Sequence, residues 1–396
     1  MATSTHSFSL PLRGMKSIRD IVLLRLTTGY ILLIVSLIGF FGGDWDIQWH
    51  AVVGRDRTFT PPHIMILAAI GLGGLVALGS ILIETSWARH NRELEQVSID
   101  FLGFLQSSLG TYMVGFGAVT SAVAFPLDTY WHSLYGIDVS LWAPFHIMLS
   151  AGGLITLFGI LYILLSAAHL AESQQQRWSS ILAYSGLLLG LGELLSKLCT
   201  LAFPALSGQG TLHLAGGALM LFPFIMSALA AIACALAVRV LKWPGSATLT
   251  VGVFLLLYLV VSTFVPPAMV ALVQAEHQQY LPRAAQIGSL IVPLLGQTPF
   301  LLLTGVAIDA AVWLARGRKW SRAATDRCII AAAMLGMLVV TTITLITLSS
   351  GQASTQGPGK GLGIMLLLSF LLALPGGFIG SWLGLRIGTA IQKLQR

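Results

Sequence analysis

Residues 21–41 read IVLLRLTTGYILLIVSLIGFF, an apolar run of 21 residues broken by a single charge, Arg25. Crossing a bilayer core takes about 20 residues of helix. In hydrocarbon every backbone N–H and C=O must be satisfied within its own segment, so a run of this length is predicted to be a transmembrane helix. It does not alternate apolar with polar residues, as a strand of a membrane barrel does. Arg13, Lys16 and Arg19 precede it. It is longer than the apolar region of a signal peptide and lacks a small-residue cleavage site, so it is expected to stay as the first helix.

Similar runs follow along the whole chain. Ten spans are predicted, at Ile21–Phe41, Pro62–Ser86, Ile99–Phe125, Pro144–His169, Trp178–Phe203, Leu212–Val240, Leu249–Val270, Ala285–Leu314, Cys328–Leu348 and Leu362–Ile387. Short connections make them five sequential hairpins of one all-α transmembrane bundle, a single integral membrane domain over residues 1–396. Of the 396 residues, 56% are hydrophobic and 9% are charged. Soluble domains carry nearer a quarter charged residues, so a water-soluble fold is excluded. Cys199, Cys234 and Cys328 are far apart in apolar stretches and form neither a disulfide framework nor a thiolate metal site.

The net charge of +7 lies in short segments between the apolar runs. That is a topology signal rather than a nucleic-acid surface; the expected partner is the lipid bilayer, with additional subunits or further copies of the chain left open. Segments on one side hold 17 Lys and Arg residues, with Arg25 counted among these loop charges, and those on the other hold 4, namely Arg55, Arg57, Arg283 and Lys360. The positive-inside rule then places both termini in the cytoplasm and the chain in the cytoplasmic membrane. Residues 1–20 are expected as a cytoplasmic segment and the Gly/Ser-rich residues 349–361 as a flexible outer loop.

The first outer segment runs Asp46-Ile-Gln-Trp-His50, then Gly54, Asp56, Pro61 and His63-Ile-Met. The second runs Asp128-Thr-Tyr-Trp-His132, then Gly136, Asp138, Pro144 and His146-Ile-Met. The order of residue types is the same, so the first two hairpins read as copies of one unit. Asp46 and His50, like Asp128 and His132, are four residues apart and share a face wherever the helix continues. His63 and His146 follow prolines suited to a first helical turn. One carboxylate and two imidazoles form a set that suits copper, zinc or iron. Three ligands leave a position open for water or substrate.

Plainer readings stand beside this one. Asp and His at the water boundary also occur as solvated loop residues, Trp49 and Trp131 as interface anchors, and Asp56 and Asp138 as turn residues. Asp44, present in the first copy alone, reads as a support to the metal set or as an exposed acid. A third hairpin carries Glu193 and Lys197 at the same four-residue spacing, with His213 opening the next predicted span. The favoured reading of Glu193 and Lys197 is an intramembrane ion pair.

The spacing Asp46-x3-His50-x12-His63 resembles the copper-binding motif in the C subunit of the particulate methane and ammonia monooxygenases. Asp128-x3-His132-x13-His146 has the spacing of that family's second site, with Asp where the family has Asn. Gly43-Asp44-Trp45-Asp46 is similar to a stretch of the A subunit. The resemblance implies copper held by Asp46, His50 and His63, a second copper held by Asp128, His132 and His146, and oxidation of a small apolar substrate. Two other classes stay open: a transporter or channel that captures cations at the Asp/His sets, and a haem or quinone protein using His63 and His146. The chain has no Walker-type phosphate loop and no His-Glu-x-x-His motif.

Overall fold

The computed structural model describes residues 16–53, 59–136, 142–206, 210–214, 217–241, 243–281, 298–352 and 362–393. Helix α1 spans Ile18–Val52, and Asp20 starts it by accepting from the Ser17 backbone N–H at 2.8 Å. The other helices are α2 (Pro61–Ala88), the short α3 (Arg92–Gln96), α4 (Leu109–Tyr135), α5 (Pro144–Ser173), α6 (Arg177–Leu206), α7 (Phe222–Val240), α8 (Ser246–Ala275), α9 (Leu301–Gly317), α10 (Arg322–Gln352), α11 (Leu362–Leu371) and α12 (Ala373–Lys393). Among the described residues, nine helices are long and apolar enough to cross a membrane. The all-α membrane bundle expected from the apolar runs is the fold observed.

Several predicted boundaries are corrected. The span expected at Ile99–Phe125 opens as an antiparallel hairpin, β1 (Ile99–Phe101) against β2 (Leu105–Ser107). The chain reverses at Leu102 and Gly103, both with positive φ, and Ser108 then caps α4 by accepting from Thr111 N at 3.2 Å. The span expected at Leu212–Val240 likewise opens as a hairpin, β3 (Thr211–Leu214) against β4 (Gly217–Met220), and its helix starts only at Phe222. Of the span expected at Ala285–Leu314, residues 285–297 lie outside the described residues; Thr298–Phe300 form a 3-10 turn that leads into α9, of 17 residues. The last span is broken at Leu372, because Pro375 has no N–H to give the Leu371 carbonyl and its ring crowds that group. Residues 349–352 of the expected outer loop continue α10, and 353–361 lie outside the described residues.

Arg25 is not a loop charge. It is buried within α1 and paired with Glu84 of α2, donating through both Nε (2.8 Å) and Nη2. Arg25 also donates to Ser166 Oγ on α5 and to the Val97 carbonyl (2.8 Å). The second oxygen of Glu84 accepts from Ser107 Oγ (2.5 Å) and Ser108 N (3.0 Å). Every strong donor and acceptor in this buried set is satisfied, the condition under which an ion pair is tolerated away from water. It ties α1, α2, α5 and the β1–β2 hairpin at one end of the bundle.

The crossing of α4 on α5 depends on small residues. A Cβ added at Gly152 would stand 2.7 Å from the Gly117 carbonyl and 2.8 Å from Ser121 N, both main-chain atoms of α4. Only glycine admits that approach, the small-residue packing typical of membrane helices.

Candidate metal centres

Helix α1 continues unbroken to Val52, so Asp46 and His50 fall on one face, one turn apart. Thr60 leads into α2, with Pro61 and Pro62 in its first turn, which places His63 at the mouth of the same hairpin. His63 Nε2 lies 3.1 Å and His50 Nε2 3.6 Å from Asp46 Oδ1. The second set is built the same way. Asp128 and His132 sit on the last turns of α4, and His146 on the first turn of α5 behind Pro144. His132 Nε2 and His146 Nε2 each lie 3.3 Å from Asp128 Oδ2. In each set one ligand atom from every residue falls within 4.8 Å of the others.

The donor atoms fit a metal ion. Ligands held about 2.0–2.2 Å from one ion at tetrahedral angles stand roughly 3.3–3.6 Å apart, close to the carboxylate–imidazole separations here. Asp46 Oδ1 and Asp128 Oδ1 are buried without a hydrogen-bond donor. Asp46 Oδ1 is also the atom nearest both imidazoles of its set, the position from which it would meet a cation held between them. The imidazole rings are tilted, not stacked, with centroids 6.2 Å apart for His50 and His63 and 5.8 Å for His132 and His146. All six side chains are buried or half-buried, so neither set is splayed into solvent.

The two sets are neighbours. The His63 ring packs edge-on against Phe125, one turn before Asp128, at 5.5 Å between centroids. A cavity of about 230 Å³ between α1, α2, α4, α5 and α6 is lined by Asp46 and His50 of one set and His146 of the other. Its remaining walls are mostly apolar, with Leu32, Val35, Ile70 and Leu154 among them.

The other residues singled out by sequence fall as follows. Asp44 lines the cavity together with Lys197 and Thr200. Trp49 is 1% exposed and packs with Val261, Val265 and Met269 of α8, which corrects its reading as an interface anchor. Trp131 packs tilted against Tyr135 (4.4 Å between centroids) and edge-on against Phe145 (5.9 Å) beside the second set. Asp56 and Asp138 lie outside the described residues. Glu193 and Lys197 do form an ion pair, at 3.1 Å. Ser36 of α1 joins them, donating to Glu193 Oε1 at 2.5 Å and accepting from Lys197 Nζ at 3.1 Å. Sequence reasoning missed Ser36, since a lone serine in an apolar run carries no spacing signal. His213 does not open a helix: it lies exposed on β3, paired with Ala218, because the chain there takes the hairpin instead.

No family model, curated protein or solved structure matches this chain.

Proposed function

We propose that this chain is a membrane metalloprotein that holds one copper ion in each Asp/His set and oxidises a small apolar molecule drawn from the lipid. The observation that carries the reading is the convergence, twice, of one carboxylate oxygen and two imidazole nitrogens within 4.8 Å, with Asp46 and His50 of one set and His146 of the other lining one apolar cavity. The resemblance of the Asp-x3-His-x12/13-His spacing to the monooxygenase copper motifs supports copper over zinc or iron, and supports reading the first two hairpins as copies. The bias of Lys and Arg supports an extracytoplasmic position for both sets, with the termini in the cytoplasm.

The residues divide the work simply. The imidazoles offer neutral lone pairs, and Asp46 and Asp128 offset part of the ion's charge where water is scarce. The cavity walls admit an apolar substrate and exclude bulk water, keeping the reacting end beside both sets. Copper at such a site supplies dioxygen activation. Insertion of oxygen into a C–H bond consumes one dioxygen, two protons and two electrons and yields an alcohol and water; an external reductant provides the electrons.

Elemental analysis of detergent-purified protein after growth in copper, zinc and iron tests this. The expected result is about two copper ions per chain, falling to one in His50→Ala/His63→Ala and to one in His132→Ala/His146→Ala. Protein that retains no metal at all sinks the proposal.

One observation favours a second reading. The cavity runs from the Asp/His sets to Lys197 inside the bundle, a course that also suits passage of a captured cation. Metal-dependent flux in proteoliposomes distinguishes transport from catalysis. A shared axial haem is disfavoured, because His63 and His146 are each held against the carboxylate of their own set.

A further inference from the structure

The cavity is a slot. Its lining positions on α1 recur at helical spacing, from Leu32 through Ser36, Gly39, Gly43 and Asp46 to His50. Ser36 and Asp46 are ten residues apart, roughly 15 Å along the axis at 1.5 Å per residue. The cavity volume is about 230 Å³, and its walls are mostly apolar along that length. An apolar space of that length fits an extended hydrocarbon chain lying along α1. Two glycines keep it open. Gly43 and Gly153 both line the cavity, and a Cβ at either would meet nothing within 4 Å.

The ends differ chemically. One presents Asp46, His50 and His146. The other presents Lys197, whose ammonium donates to Ser36 Oγ at 3.1 Å and lies 3.1 Å from Glu193 Oε1. An ammonium has three N–H groups, which leaves one for an occupant. Its charge is already offset by buried Glu193, and Asp44 lines the same wall. A carboxylate head would add another acid there, whereas a neutral oxygen accepts the spare N–H without that cost.

We infer that the slot binds one extended, medium-chain molecule with a neutral oxygen head, an alcohol or carbonyl, at Lys197 and its far end at the Asp/His sets. Calling that molecule the substrate rests on the function proposed above; its binding does not.

The test uses chelator-stripped full-length protein in lipid nanodiscs, with radiolabelled n-octanol as the probe in a scintillation proximity assay. Octane and octanoate serve as competitors. Saturable binding of one octanol per chain is expected, with each competitor weaker by about tenfold, the scale of one charge-assisted hydrogen bond. Gly153→Leu should abolish binding by filling the slot. That variant should fold, since leucine is the better helix former and its Cβ enters open space. Lys197→Met combined with Glu193→Gln should erase the preference for octanol over octane while leaving the size limit intact.

The inference is overturned if octanol binding is not saturable, if Gly153→Leu binds as the parent does, or if octane or octanoate competes equally well. A lipid acyl chain that octanol cannot displace overturns it too. Metal content is read separately on metal-replete protein. Octanol binding without any retained metal therefore sinks the copper reading and leaves the slot standing.

Discussion

Glu84→Leu removes the acceptor at the centre of the network that ties α1, α2, α5 and the β1–β2 hairpin. Arg25 is 2% exposed and Glu84 is 0% exposed, so the substitution strands a guanidinium away from water. Removing one partner of a buried pair costs roughly 3–5 kcal/mol. Ser107 Oγ and Ser108 N lose their acceptor as well, at about 1 kcal/mol each. A loss of roughly 5–7 kcal/mol follows, comparable with the whole net stability of many folded domains. Arg25→Met in the same background removes the stranded charge. The double variant should therefore be less damaged than the two single losses together, by roughly 2–3 kcal/mol.

Equilibrium unfolding in mixed micelles, followed by circular dichroism, measures all three variants. Arg25 and Asp46 are 21 residues apart on α1, about 30 Å at helical rise. The fraction that remains folded should then keep its full metal content. The reasoning fails if Glu84→Leu costs less than about 1 kcal/mol, or if the two single losses simply add.

Two further outcomes follow from the Asp/His sets. Proton and metal compete for the same imidazole nitrogens, so metal should stay bound at neutral and higher pH and leave on acidification; retention after gel filtration across a pH series checks this, and a flat profile down to unfolding contradicts it. Gly152→Val drives a side chain into the Gly117 carbonyl and Ser121 N of α4, at a cost of roughly 1–3 kcal/mol. It should separate Asp128 from His146 and halve the metal content, with the first set unchanged; full metal content would show that the α4–α5 crossing does not position the second set.

The spans and the ligand sets were legible because each depends on short-range geometry. An apolar run about 20 residues long meets the requirement of a bilayer whatever surrounds it. Asp46 with His50 and Asp128 with His132 need only an intact helical turn, and His63 and His146 need only a proline-led turn across the mouth of the same hairpin. The hairpins at 99–107 and 211–220 were not legible, because apolar composition alone does not distinguish a short apolar strand pair from the start of a helix.

Arg25 resembled a loop charge in sequence because its partner, Glu84, is 59 residues away. Ser36 gave no signal because the lysine it meets is 161 residues distant. The cavity belongs to no segment: five helices enclose it, and its width depends on how closely glycines let them cross. Sequence by itself therefore determined the membrane class and the two ligand sets, through periodicity and hairpin closure. Only tertiary packing decided which buried charges pair and that Asp46, His50 and His146 line one cavity, because those contacts form between helix faces that no local spacing relates.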